Sequence, residues 1–143
     1  MPEILHQFTV AADADKVREA LTKQEGLAAF WTDQTTATPE VGSEAWFGFG
    51  PDAEYNFTFD VTGIDADAVT WACVKGPDEW VGTHINWFLT PEGDGTKIRF
   101  EHLDWASADG ELAQCSFVWG QIMARLAAYV DAGVVNPYFR KVA

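Results

Sequence analysis

The polar residue best placed for chemistry is His102, which lies in the segment from Phe100 to Trp105. Strand alternation places His102 on the same face as Ile98 and Phe100, with Asp104 next along that face. Such a polar pair at the rim of a pocket can orient a ligand, or the histidine can shuttle a proton. The alternative is a structural histidine bonded to backbone or to a neighbouring side chain near the strand end. We favour the structural role, because no paired base accompanies His102.

The other candidate ligands and nucleophiles are scattered along the chain. His84 is predicted on the surface face of its strand, and His6 lies on the first strand. The sequence has no HxH or HExxH spacing, no GxSxG elbow and no glycine-rich phosphate loop after a strand. We therefore predict no metal, no cofactor and no catalytic residues. An enzyme is the less favoured class, and a cyclase or hydrolase that uses His102 as a base is kept as an alternative.

Two cysteines, Cys73 and Cys115, lie far apart in the sequence without CxxC spacing. The N-terminus lacks the basic region and apolar run of a secretory signal, so a reducing, cytoplasmic location is expected. Free, buried thiols are therefore predicted, although a bridge is not geometrically excluded.

Aromatic side chains are far more abundant than a small core requires, with seven Trp, ten Phe and three Tyr in 143 residues. Large rings line pockets as well as fill cores. We expect a cavity in which His102 sets the orientation of a ligand. The candidate ligand-binding residues are Phe47, Phe57, Trp71, Trp87, His102, Trp119 and Met123. Such aromatic residues can equally fill the core, and Trp80 is expected to cap its end.

Length and charge restrict the classes of function. A chain of 143 residues with 48% hydrophobic content can form one domain, predicted over residues 1–143. Its net charge of -13, from 9 basic and 22 acidic side chains, repels phosphate backbones and anionic bilayers. No apolar run approaches membrane-spanning length. Nucleic acid and membranes are therefore not expected as partners.

The pattern of apolar residues predicts the elements that position these side chains. Alternation over 4–10, and again from the turn at 38–42 to residue 104, predicts antiparallel strands, with a hairpin loop at 91–95. Helical spacing covers 13–22 and, after an interruption at Gly26, 27–31. Residues 110–132 form a long helix that covers the sheet and ends at Gly133. The predicted fold class is α+β, a curved antiparallel sheet wrapped around a long C-terminal helix, with two short helices after the first strand.

Four segments, in this order and spacing, resemble the START-like (SRPBCC) superfamily. They are 30–32, 41–43, 71–83 with its Glu-Trp-Val-Gly-Thr core, and 100–105 followed by Trp119. In detail they are similar to small single-domain proteins related to the C-terminal domain of the activator of heat-shock protein 90 ATPase. The resemblance implies a helix-grip fold with a cavity between the sheet and the C-terminal helix.

Members of this superfamily range from carriers of hydrophobic ligands to cyclases and co-chaperones. The resemblance thus implies binding of a small hydrophobic or amphipathic molecule, with a chaperone or client protein as the alternative partner. The eukaryotic activator has an additional N-terminal domain and this chain starts at the first strand, so co-chaperone activity is expected to transfer poorly. Both a monomer and a homodimer are compatible with the family.

Overall fold

A computed structural model describes residues 1–141 of the chain. Its elements, in chain order, are β1 (Ile4–Val10), α1 (Ala14–Thr22), α2 (Gln24–Phe30), β2 (Gln34–Thr36), β3 (Glu44–Phe49), β4 (Tyr55–Ile64), β5 (Ala68–Lys75), β6 (His84–Glu92), β7 (Gly95–Leu103) and α3 (Leu112–Ala132).

The strands form one sheet in the order β1-β7-β6-β5-β4-β3-β2, and every neighbouring pair is antiparallel. The first strand closes against the last, with Ile4 opposite His102. The buried side chains of α3 lie between Trp119 and Val130. The helix packs against β1 and against α1 and α2, and the Trp119 ring meets Phe100 of β7. The predicted α+β helix-grip fold is confirmed.

The helix boundaries follow local chemistry. The side chain of Asp13 accepts a hydrogen bond from the Lys16 amide and caps α1. Helix α3 ends at Gly133, whose φ of 69° suits a residue without a Cβ. Gly26, by contrast, does not interrupt the second helix but lies within α2. A Cβ there would be 2.5 Å from the Ala20 backbone, so glycine permits the close approach of α1 and α2.

Strand β4 departs from simple alternation. Its register against β5 shifts between Thr58 and Phe59, and both of these residues are buried. The extra residue of this bulge lies on β5, and the pairing of β4 with β3 is continuous. Tyr55, opposite Phe49, therefore lies on the same face as Phe57, although it is 67% exposed at the end of the strand.

After α3 the chain returns along the end of α2 in a segment that we call the C-terminal strap (residues 134–141). Backbone amides of Asn136, Tyr138 and Phe139 donate to carbonyl groups of residues 29–31. Phe139 also forms an isolated parallel bridge with Thr32. The hydrophobic pattern carried no signal for this strap.

The core between sheet and helix is predominantly aromatic. Five tryptophans are at most 2% exposed, namely Trp31, Trp71, Trp87, Trp105 and Trp119. Within residues 1–141, no helix is both long enough and apolar enough to cross a membrane.

Candidate functional site

An open cleft of about 500 Å³ lies between α3, the β3–β4 hairpin and the loop that joins β5 to β6. Its floor is formed by buried apolar side chains, those of Trp31, Phe49, Trp80, Trp119 and Ile122. Its half-buried walls are formed by Phe57, Cys115, Val118 and Phe139. Its mouth is formed by exposed residues, Tyr55, Pro77, Glu79, Glu111 and Gln114.

One wall depends on contacts between distant parts of the chain. Phe49 and Phe57 come from the two strands of the β3–β4 hairpin, with ring centroids 4.8 Å apart. The ring of Phe139 meets Phe49 edge-on at 4.7 Å. Phe139 reaches this position because its amide donates to the Trp31 carbonyl and its carbonyl accepts from Asp33. The C-terminal strap therefore completes the wall that the hairpin begins.

The loop between β5 and β6 places Trp80 at the other side of the floor. The Trp80 ring lies 4.4 Å from Phe57 and 4.7 Å from His102, centroid to centroid. Trp80 thus covers the end of the core, as expected from the sequence, and also forms part of the cleft. The same loop is attached to α3, because an oxygen of Glu79 accepts from the Glu111 amide at 3.1 Å.

A buried chain of hydrogen bonds holds the floor in place behind the cleft. The Trp119 indole N–H donates to His102 Nδ1 at 3.2 Å. His102 Nε2 lies 2.9 Å from the hydroxyl of Thr83, which donates to the Trp80 carbonyl at 2.6 Å. Because Nδ1 accepts, the imidazole proton resides on Nε2, and both nitrogens are satisfied. Burial lowers the pKa of His102 to about 3, so the ring is neutral at physiological pH.

The predicted pairing of His102 with Asp104 is wrong. Strand β7 ends at Leu103, and Asp104 adopts a left-handed backbone with φ of 70°. Its carboxylate turns to His84 instead, with 2.6 Å between Oδ2 and Nδ1. His84 lies on the exposed face, as predicted. His6 reaches towards α3, with Nε2 3.2 Å from the carbonyl oxygen of Ser116.

The comparison with protein families decides the family of this chain. A model described as "Activator of Hsp90 ATPase homolog 1-like protein" matches residues 11–131. The chain belongs to this family. The resemblance recognised in the sequence is therefore confirmed, within a START-like (SRPBCC) fold.

Solved structures of similar proteins agree with this assignment. The Aha1 dimer from Colwellia psychrerythraea is 28% identical, with a TM-score of 0.84, and the match covers 93% of this chain and 98% of that one. DynU16, a protein in the dynemicin biosynthetic locus, is 23% identical, with a TM-score of 0.77 over 96% of this chain and 50% of its own. CalU16 from Micromonospora echinospora is 16% identical, with a TM-score of 0.73 over 92% of this chain and 77% of its own. The last two show the fold alone. No curated protein matches the chain.

In this member of the Hsp90 ATPase activator homologue family, the candidate residues divide between the cleft and the core. Phe57 and Trp119 line the cleft. The other candidates are buried and lie outside the cleft lining: Phe47, Trp71, Trp87, His102 and Met123. His102 is fully buried, so its ring offers neither a base nor a polar anchor to a molecule in the cleft.

Three residues that line the cleft, Phe49, Trp31 and Phe139, were not among the candidate ligand-binding residues. Phe49 shares the alternation of Phe47, and its position at the strand end could have suggested a cleft. Trp31 comes directly after a short helix, and Phe139 belongs to the strap, so neither follows a sheet periodicity. Their side chains meet only through tertiary packing.

The cleft offers little nucleophilic or metal-binding chemistry. Cys115 and Cys73 are free thiols, as predicted. Desolvation by burial raises the pKa of each to about 11, which keeps both protonated at neutral pH. In the described range, residues 1–141, no three His, Cys, Asp or Glu side chains converge as metal ligands do. The arrangement suits binding of apolar surface.

Proposed function

We propose that this chain binds a small apolar or amphipathic molecule in the cleft between the sheet and α3. The observation that carries the proposal is the open volume of about 500 Å³ above a floor of buried aromatic rings. Pockets for small molecules are commonly of about 300–1,000 Å³ and largely apolar. Each Å² of apolar ligand surface removed from water contributes about 25 cal/mol, which supplies the driving force.

The floor is organised before a ligand arrives, which favours binding. The Trp119 ring packs 4.6 Å from Phe100 and 5.0 Å from Trp31, and its N–H is bonded to His102. A ring that packs against two neighbouring rings and is hydrogen-bonded at its polar edge loses little further freedom on binding. Binding of a ligand therefore carries little entropic cost from ordering of the floor residues.

The test fills the cleft from α3. Val118→Trp places a large ring on the cleft wall, and Ala124→Trp places the same ring on the exposed side of the same helix. Thermal unfolding is followed with a panel of neutral amphiphiles, sterols and polycyclic aromatic compounds. We expect at least one compound to stabilise the wild type and Ala124→Trp, but not Val118→Trp. The proposal would be refuted if no compound raised the melting temperature of the wild type or of Ala124→Trp. It would also be refuted if a compound raised the melting temperature of Val118→Trp as much as that of the wild type.

A second candidate function is self-association through the outer face of α3. Phe117 on this face is 70% exposed, and residues 112–124 include no charged side chain. On a chain of net charge -13, a charge-free surface is where two copies can meet with least repulsion. The relative from Colwellia psychrerythraea is a dimer, which supports the same candidate.

Sedimentation equilibrium over a range of concentrations tests this second candidate. We expect the wild type to dimerise and Phe117→Ser to remain monomeric, with Val41→Ser, an exposed apolar residue of a distant turn, as the control. A wild type that stays monomeric at high concentration argues against self-association. If Phe117→Ser instead abolishes stimulation of an Hsp90 ATPase by a monomeric wild type, the face serves a chaperone.

A further inference from the structure

We infer that the preferred ligand of the cleft carries a cationic headgroup, an amine or a quaternary ammonium, at the mouth near Glu79 and Glu111. The inference rests on the proposed function, because the apolar part of that ligand occupies the cleft. The inference specifies the chemical class of the ligand's polar headgroup, which the apolar floor of the cleft does not determine.

The charges at the mouth are of one sign. Among the described residues, Glu79 and Glu111 are the charged ones that line the cleft, and no lysine, arginine or histidine lines it. In the part of the chain from 1 to 141, neither carboxylate takes part in a salt bridge. Lys75 precedes the loop in sequence, but it is not part of the lining. A cation at the mouth would therefore meet two carboxylates without displacing a basic side chain.

The N-terminus of α3 offsets only part of this negative charge. An oxygen of Glu79 accepts from the Glu111 amide, where the helix dipole supplies about half a positive charge. Two carboxylates exceed that partial charge, so the mouth stays negative. The net charge of -13 adds to the repulsion of any anion that approaches. Fatty carboxylates, sulfates and phosphates are thus disfavoured as headgroups.

Aromatic rings beside the carboxylates favour an organic cation. Tyr55 is 67% exposed at the mouth, and the Phe57 and Trp80 rings lie 4.4 Å apart just inside it. A substituted ammonium group interacts with the face of such rings and retains its attraction to carboxylates. An ammonium group with apolar substituents is also less strongly hydrated than a metal ion, so its transfer to an apolar site costs less free energy.

The test compares three amphiphiles with one tail: decyltrimethylammonium, decyl sulfate and decyl maltoside. Binding is measured by calorimetry at low ionic strength, below the micellar concentration, with circular dichroism to verify that the protein stays folded. We expect the cation to bind about tenfold more tightly than the anion. The preference should shrink as salt is added.

A pair of charge-matched variants locates the preference. Glu79→Gln/Glu111→Gln removes two charges at the mouth, while the side-chain amide oxygen introduced at position 79 can still accept from the backbone amide of α3. Glu3→Gln/Glu40→Gln removes two charges from exposed sites outside the cleft. We expect the first variant to lose the cation preference without losing decyl maltoside affinity, and the second to retain both.

The outcomes separate this inference from the proposed function. If decyl maltoside binds but cation and anion bind equally, or the mouth variant keeps the preference, the headgroup assignment is wrong and the cleft remains a binding site. An equal loss of preference in both variants would attribute it to net charge and also overturn the assignment. If no amphiphile binds, both the proposed function and the inference are refuted.

Discussion

Trp119 on helix α3 donates its indole N–H to Nδ1 of His102 on strand β7, across 3.2 Å of buried core. This bond joins the helix to the sheet at the point where the cleft floor begins. It also fixes the tautomer of His102 and hence the direction of the bond to Thr83. One side chain therefore has a hydrogen-bonded edge in the core and apolar surface in the cleft.

Removing the indole donor should cost more than removing a comparable ring elsewhere. Trp119→Phe leaves His102 Nδ1 buried without a donor, whereas the Trp87 indole nitrogen is buried without a partner already. We expect Trp119→Phe to lower the free energy of unfolding by about 1–3 kcal/mol more than Trp87→Phe. Urea denaturation of both variants at pH 8 measures the difference. Equal losses would show that the hydrogen bond contributes nothing.

Stability should decline in mild acid because of His102. Its pKa falls from 6.5 to about 3 on folding, owing to burial, so below pH 6.5 the unfolded chain binds a proton that the folded chain does not. Above about pH 6.5 His102 is neutral in both states and does not lower the free energy of unfolding. As the pH falls from 6.5 towards 3, protonation of the unfolded chain lowers the free energy of unfolding progressively. At pH 5 the loss amounts to about 2 kcal/mol.

His102→Gln tests this dependence. The variant should be less stable than the wild type at pH 8, because glutamine does not reproduce both bonds of the imidazole. Between pH 7 and pH 5, however, its free energy of unfolding should fall less steeply, since the titrating group is gone. Urea denaturation at one-unit intervals provides the two curves, and parallel curves would contradict the assignment.

The C-terminal strap should determine the size of the ligand. Phe139→Ala removes the edge contact with Phe49 and widens the cleft, and we expect bulkier members of the panel to gain affinity relative to smaller ones. The cost in stability should stay below about 3 kcal/mol, since the ring is only half-buried. Val135→Ala is the control, because this exposed residue of the strap lies outside the cleft lining. An unchanged size preference in Phe139→Ala, or an equal change in the control, would exclude this role.

Cys115 should report occupancy of the cleft. With a pKa raised to about 11, its alkylation at pH 7 is expected to be slow and to speed up about tenfold per pH unit below that value. A bound ligand should slow it further, because the thiol lies on the wall. Mass spectrometry in a Cys73→Ala background follows this single site. Unchanged rates at a saturating ligand concentration would place the ligand elsewhere.

The periodicity of apolar residues predicted the strands and the helix in which the apolar positions are also the buried positions. Trp71, Trp87 and His102 were placed on the inner face from alternation alone, and all three are buried. A hydrogen-bonded strand requires this alternation, so the sheet could be derived from it. The spacing of Trp119 and Ile122 likewise indicated which side of α3 faces the sheet.

The features that were not predicted depend on backbone conformation or on contacts between residues that are far apart in the sequence. Asp104 leaves its strand in a left-handed conformation, for which a non-glycine residue gives no clear warning. Tyr55 lies on the same face as Phe57 but is exposed, because the cleft opens at that end of the strand. Phe139 contributes to the cleft only through backbone bonds of the strap to residues far earlier in the chain. Sequence could thus place rings inside the molecule, but not separate those of the core from those of the cleft.

The strap also affects the order in which the molecule can be assembled. The strap pairs with residues far earlier in the chain, so a folding intermediate in which it has not yet docked has the aromatic floor but lacks one wall of the cleft. Until the strap pairs with Thr32, that floor is open to water and to other chains. Such an intermediate would expose a wider apolar surface than the finished fold does.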